Sequence, residues 1–163
     1  MSSAHKNLSH FSGEIPNAAV CRFGIIVSEW NTEITSALLQ GAVDALLKAG
    51  AKQENIFTHW VPGSFELTLG AQLLLEKANN PIDAVICLGC VIQGETKHFD
   101  FICDAVANGI TQLNIKYNSP VIFGVLTTNN QQQAIDRSGG KHGNKGEEAA
   151  VTAIKMLDLK SKV

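Results

Sequence analysis

The chain lacks any run of apolar residues long enough to cross a bilayer, which takes about 18 to 20. Met1 to Ile15 lacks the apolar middle region of a secretory leader. Charged residues make up only 17% and the formal net charge is −2, so no basic surface is expected to draw nucleic acid or an acidic membrane. A chain that is 45% apolar and poor in charge is not a disordered one. What remains is an expected cytoplasmic protein with neither nucleic acid nor membrane among its partners.

Cysteine is scarce too. Cys21, Cys87, Cys90 and Cys103 are the four present. Cys87-Leu88-Gly89-Cys90 has the spacing of a redox or zinc pair. A redox pair opens a helix, however, and this one falls at a strand end. No second Cys or His pair completes a zinc set, so packed core thiols and no metal are expected. His5, His10, His59 and His142 show no metal-ligand spacing. The stretch from Ser138 to Gly146 is glycine-rich but is not a Walker loop, because no Gly-Lys-Ser/Thr ends it. The dinucleotide-binding glycine fingerprint is missing after the first strand. Gly140-Lys141-His142-Gly143 matches a KH loop in two glycines only.

What is present is a regular alternation. The 163 residues suit one domain, with a polar, flexible arm over 1–17 and a single domain over 18–163. Apolar strands are expected at Val20 to Val27, Ile56 to Val61, Ala84 to Cys90 and Pro120 to Leu126. The helix after the first strand carries Ile34, Ala37, Leu38, Gly41, Ala42, Ala45, Leu46 and Ala49 on one face, with Asn31 or Thr32 as its cap. A second helix runs from Ser64 to about Ala78. Its Leu67, Leu69, Leu73, Leu74 and Leu75 cover more than one face, which implies burial in the fold or in an interface. A third runs from Thr96 to about Tyr117, a short one reaches Arg137, and the last spans about Glu147 to Leu159. Apolar strands alternating with amphipathic helices imply a parallel sheet covered on both faces. The expected fold class is therefore α/β: a three-layer α/β/α flavodoxin-like domain with a four-stranded parallel sheet.

Ligands of such sheets bind outside the carboxyl ends of the strands, and four junctions there carry reactive residue types. Leu88 to Asp100 is the richest. Gly89 and Gly94 bound a loop, and His98 sits in the first turn of the helix that follows. Backbone N–H groups and the helix dipole favour an anion there and favour neutral imidazole over imidazolium, which makes His98 a general-base candidate. A lone histidine at a helix start is more often structural. Ser64 and Glu66, after the second strand, can offer a hydroxyl and a carboxylate, or simply start a helix. Trp30 can stack on a planar ring, or pack. Arg137, Lys141 and Lys145 gather on the glycine-rich break, where arginine can fork onto phosphate, or be solvated.

Together these junctions resemble one family, lumazine synthase. The resemblance covers about Phe23 to Leu157. It rests on Trp30-Asn31, on Val61-Pro62-Gly63-Ser64-Phe65-Glu66, on Gly89-Cys90-Val91-Ile92 with Gly94-Glu95-Thr96-Lys97-His98-Phe99, and on Arg137 with Gly143-Asn144-Lys145-Gly146. The family condenses 5-amino-6-ribitylaminouracil with 3,4-dihydroxy-2-butanone 4-phosphate. The product is 6,7-dimethyl-8-ribityllumazine, formed with loss of phosphate and water in the penultimate step of riboflavin biosynthesis, and no cofactor is used. The resemblance implies that Trp30 stacks on the pyrimidine, that Ser64, Phe65 and Glu66 hold the ribityl chain, and that Cys90, Val91 and Ile92 line the ring edge. It places the butanone phosphate at Glu95, Thr96 and Arg137, with Lys141 and Lys145 as support, and makes His98 the proton-transfer residue. Phe123 and the Arg137 loop are implied to reach the site of a neighbouring subunit.

The family forms homopentamers, some closing into an icosahedral shell of sixty subunits, and riboflavin synthase is a candidate cargo. The short break after Arg137 is compatible with the shell. Three departures stand out: Thr68 where many members have proline, Gln93 where many have a basic residue, and Trp30 for the frequent phenylalanine. Two other readings of the same residues are a flavin or riboflavin-precursor binder without catalysis, and a structural shell protein. His98 and Arg137 together discriminate, because a pure binder needs neither.

Overall fold

Four apolar segments make the sheet: β1 (Phe23–Ser28), β2 (Ile56–Val61), β3 (Ala84–Ile92) and β4 (Val121–Thr128). All pairings are parallel and the order is β2-β1-β3-β4. The structure, a computed structural model, describes residues 9, 11, 13–77, 79 and 81–163. The expected arm over 1–17 falls partly outside them, as do Ala78 and Asn80 at the expected end of the second helix.

Side-chain alternation divides the core in two. Phe23, Ile25, Val27, Ile86 and Leu88 point to one face and meet Leu38 and Leu46 of α1 (Thr32–Lys48), together with Ala150 and Ile154 of α5 (Lys145–Lys162). Ile26, Val85, Cys87 and Val125 point to the other face. There they meet Leu67 and Ala71 of α2 (Leu67–Leu75), with Val106 and Ile110 of α3 (His98–Tyr117). Every residue of β1 is buried, as a strand covered on both faces requires. Each fully buried Leu, Ile or Phe here contributes about 1.5–3 kcal/mol of transfer free energy. The four-stranded, three-layer α/β fold expected from the alternation is what forms. Among the described residues no helix is long and apolar enough to cross a membrane.

α1 and α5 touch because two glycines permit it. A Cβ at Gly146 would lie 1.9 Å from the Leu38 carbonyl oxygen, and one at Gly41 would lie 2.4 Å from the Asn144 side chain. Asn144 fills that contact. It donates to the Ala37 carbonyl at 2.9 Å and accepts the Gly146 N–H at 2.8 Å, capping α5.

Several element ends differ from the sequence expectation. β3 continues to Ile92 because β4 still pairs with Val91 and Ile92. The second helix opens with a 3₁₀ turn over Ser64–Glu66 before α2 begins. The Thr96 hydroxyl accepts the His98 N–H, so α3 starts two residues late. After α4 (Gln131–Arg137), the glycine-rich break is a small antiparallel hairpin of β5 (Ser138–Gly140) and β6 (Gly143–Asn144).

The sheet order reverses between β1 and β3. From β1 the chain moves outward to β2, then returns to the opposite side of β1 for β3 and β4. The helices leaving these strands diverge at that point and leave a crevice at the strands' carboxyl ends.

Candidate active site

A cleft of about 750 Å³ opens in that crevice. Trp30 and Asn31 reach it from the end of β1, and Pro62, Gly63, Ser64, Phe65 and Glu66 from the turn after β2. Cys90, Val91 and Ile92 form its β3 wall, and His98 and Ile102 come from α3. The loops after β1 and β2 are laced together by backbone bonds, Glu29 N–H to the Val61 carbonyl at 2.8 Å and Trp30 N–H to the Pro62 carbonyl at 3.2 Å.

Two aromatic side chains at the cleft are left open, Trp30 at 73% exposed and Phe65 at 56%. Large rings held open beside an apolar wall provide stacking surface for a planar ligand. Polar groups line the cleft as well. Glu66 accepts the Gly63 N–H at 3.0 Å, which fixes its carboxylate at the turn. The Ser64 hydroxyl is buried and has no hydrogen-bond partner among the described residues. An unpaired buried hydroxyl is unfavourable until something bonds it. Gly89 makes room for it: a Cβ there would sit 2.6 Å from Ser64 Oγ.

Burial pushes the Cys90 thiol up to about 11 and the Cys87 thiol up to about 12. Both are therefore neutral at physiological pH, and all four cysteines are free, in keeping with packed thiols. Cys90 offers the cleft an uncharged wall and not a nucleophile.

His98 is the first residue of α3 and its exposed side chain stands on the cleft's rim. Glu95 and Thr96 precede it in an exposed loop and do not line the cleft. Phe123 packs on the second core from edge strand β4. Arg137, Lys141 and Lys145 also stay away from the cleft within one chain. Each meets a carboxylate instead. Arg137 forks onto Glu148 at 2.7 and 3.1 Å and donates to the His142 carbonyl at 2.7 Å. Lys145 reaches the same Glu148 at 3.4 Å. Lys141 pairs with Asp136 at 3.1 Å, and hydrogen bonds from Gln132 and Lys141 hold the Asp136 carboxyl below its ordinary range.

Glu148 and Asn31 are the residues that reading the sequence for function missed. An acidic residue in the first turn of a helix carries an ordinary dipole explanation, so nothing marked Glu148 as the partner of Arg137. Asn31 reads in the sequence as a cap and as half of the Trp30-Asn31 motif, with no role of its own.

A family model described as 6,7-dimethyl-8-ribityllumazine synthase matches residues 20–161. Among curated relatives, the protein of that name from Cytophaga hutchinsonii is 66% identical over 157 residues, covering 96% of this chain and 98% of that one. The protein of that name from Phocaeicola vulgatus is 52% identical over 164 residues, covering 100% and 96%. That from Bacteroides fragilis is 59% identical over 138 residues, covering 85% and 95%.

Proposed function

Because the chain belongs to the 6,7-dimethyl-8-ribityllumazine synthase family, we propose that the cleft beside His98 is where it performs that family's reaction. The enzyme is a transferase of riboflavin biosynthesis. It condenses 5-amino-6-ribitylaminouracil with 3,4-dihydroxy-2-butanone 4-phosphate and releases phosphate and water. The observation that carries the site assignment is the convergence of Trp30, Ser64, Phe65, Glu66, Cys90, Val91, Ile92 and His98 on one cleft.

Each role follows from what its surroundings allow. Trp30 stacks on the pyrimidine, against the apolar strip of Cys90, Val91 and Ile92. The ribityl hydroxyls take the unpartnered Ser64 hydroxyl and the Glu66 carboxylate. The substrate amine attacks the ketone to give an imine, phosphate leaves, and a second condensation closes the ring. Each step moves a proton, and an imidazole at the rim can accept and return it. Holding the two substrates side by side supplies much of the rate.

The phosphate end is read as shared between copies. Glu95 and Thr96 supply one side from the loop before α3. Arg137, with Lys141 and Lys145 behind it, and Phe123 supply the other from an adjacent subunit. The lone chain leaves these groups outside the cleft. It also leaves Leu69 and Leu73 of α2 exposed, at 59% and 60%, near the open Phe65. An apolar patch of this kind beside a half-lined cleft suits a second copy. A pentamer is the assembly read here. A sixty-subunit shell around riboflavin synthase is the larger form to look for. The free thiols suit a reducing cytoplasm.

Purified protein mixed with both substrates should develop lumazine absorbance and release phosphate in equal amounts. No absorbance change at high enzyme concentration would remove this reading. Light scattering on the same sample reports the assembly.

A further inference from the structure

Asn31 does not behave as an asparagine at a helix start ordinarily does. At the cap position its side chain would accept a hydrogen bond from the next turn, yet it makes no such bond. Its backbone is left-handed, φ 58° and ψ 45°, a conformation that asparagine tolerates better than other residues with a Cβ. The start of α1 is held without that side chain. The Asn31 carbonyl accepts the N–H groups of Ile34 and Thr35 at 2.8 and 3.0 Å, and the Thr32 hydroxyl donates to the Glu29 carbonyl.

The amide goes elsewhere. Asn31 Nδ2 donates to the Cys90 carbonyl at 3.1 Å, across 59 residues of sequence. The last paired residues of β1 and β3 are Val27 and Leu88, while β3 runs on to Ile92. Past Leu88 the β1 side of β3 has no strand to bond, and the Asn31 amide supplies the donor that β1 has ceased to offer. One end of this bond adjoins Trp30 and the other is Cys90, so it spans the two walls of the cleft. Asn31 itself lines the cleft between them.

We propose that Asn31 is a positioning residue whose amide sets the gap between the Trp30 indole and the Cys90–Ile92 strip, and so the fit of the aminouracil ring. This inference rests on the enzymatic reading above. It assigns Asn31 no contact with reacting atoms.

Two variants test it in the full-length, assembled enzyme. Asn31→Gly keeps the left-handed backbone and removes the amide. Asn31→Asp keeps the shape but turns a carboxylate toward the Cys90 carbonyl. The expected result for Asn31→Gly is a KM for the aminouracil raised about tenfold, the ordinary worth of one hydrogen bond. The kcat should stay within about threefold, with the butanone phosphate KM unchanged, because the phosphate end is built from other loops. Asn31→Asp should raise the same KM further, and it decides by the same split should Asn31→Gly fail to fold. An aminouracil KM equal to wild type in both variants overturns the proposal. So does a rise in both KM values together with a lowered Tm, which would mark a purely structural bond. A wild-type enzyme without turnover overturns the enzymatic reading and this one with it. Wild-type turnover with an unmoved KM overturns this one alone.

Discussion

The cleft and the Arg137 corner differ in what their polar groups have left to give. In the cleft, Ser64 carries a hydroxyl without a partner, and Trp30 and Phe65 stand open. At the corner the positive charges are engaged. Arg137 is forked onto Glu148, Lys145 shares that carboxylate, and Lys141 is tied to Asp136. The first region keeps an unpartnered hydroxyl and open rings, which suit the ring and polyol chain of the proposed substrate. The second has three cations paired with two carboxylates, and its value lies in geometry as much as in charge. Glu148 holds one guanidinium by a two-point fork, so little ordering would remain for the phosphate of the proposed reaction. On the proposed reading, a chain folding alone prepares both halves of the reaction and a second copy brings them together.

The sharpest break in that contrast comes at Arg137. Arg137→Ala should lower kcat/KM for the phosphorylated ketone by about 10²–10³-fold, the usual loss when one preorganised donor to a developing anion is removed. It should also destabilise the fold by about 1–3 kcal/mol, because Glu148, whose side chain is 14% exposed, loses its two-point fork and keeps only Lys145. Glu148→Gln separates the two effects. Arg137 keeps a hydrogen-bonding neighbour but loses the fixed fork, so phosphate binding should weaken less than in Arg137→Ala. If both variants leave the ketone KM and kcat untouched, the corner belongs to no active site. His98→Ala comes next, with kcat down by about 10²-fold or less, since general acid–base catalysis contributes typically 10²–10⁴ and proximity remains. A loss confined to KM would place His98 in binding alone.

The difference between the regions also explains what the sequence could show. Apolar runs bounded by turn residues exposed all four strands of the sheet, as strands in a covered parallel sheet do, and adjacent turns placed Trp30, Ser64, Glu66 and His98 at one sheet edge. Those are local signals. The corner's ion pairs are close in sequence as well, with Arg137 and Glu148 lying 11 residues apart, but the chain between them turns through the glycine-rich hairpin, and the start of α5 is tied to α1 by a distant bond, Asn144 to Ala37 across 107 residues. Nothing near Asn144 distinguishes such a bond from an ordinary cap. The hairpin of β5 and β6 stayed hidden for a related reason, since Ser-Gly-Gly and Gly-Asn carry too little side chain to show strand alternation. Asn31 was legible as a cap and not as a bridge to Cys90, whose strand is known to run past β1 only once the register is seen.

Within the cleft, smaller changes test whether its open groups are for binding. Ser64→Ala should raise the aminouracil KM by about threefold to tenfold with kcat nearly unchanged, as for one lost hydrogen bond. Gly89→Ala reaches the same hydroxyl from behind. Its Cβ would lie 2.6 Å from Ser64 Oγ and 2.9 Å from Leu67 Cδ1. Overpacking of this kind costs about 1–3 kcal/mol, so the Tm should fall along with aminouracil affinity. If Gly89→Ala lowers the Tm and leaves that affinity intact, Ser64 serves packing and not the ligand.

The smallest effect concerns the thiols, and it bears on whether the β3 wall is inert. Burial raises Cys90 to about 11 and Cys87 to about 12, from an ordinary 9.0. At pH 8 both are therefore protonated, and a disulfide reagent should modify the partly buried Cys21 and Cys103 first. Bound aminouracil should slow Cys90 further. Cys90 reacting as fast as a free thiol would mean the wall opens readily and would undo the contrast with the corner. The sign of the pH effect follows from linkage. The folded state keeps these protons to higher pH than the unfolded chain does. The stability they contribute is thus full below about pH 9 and declines as pH rises through 9 toward 11 and 12. Cys90→Ala and Cys87→Ala should each flatten part of that alkaline decline in urea titrations. The change at Cys87 should extend to the higher pH, because its thiol is the more deeply buried of the two.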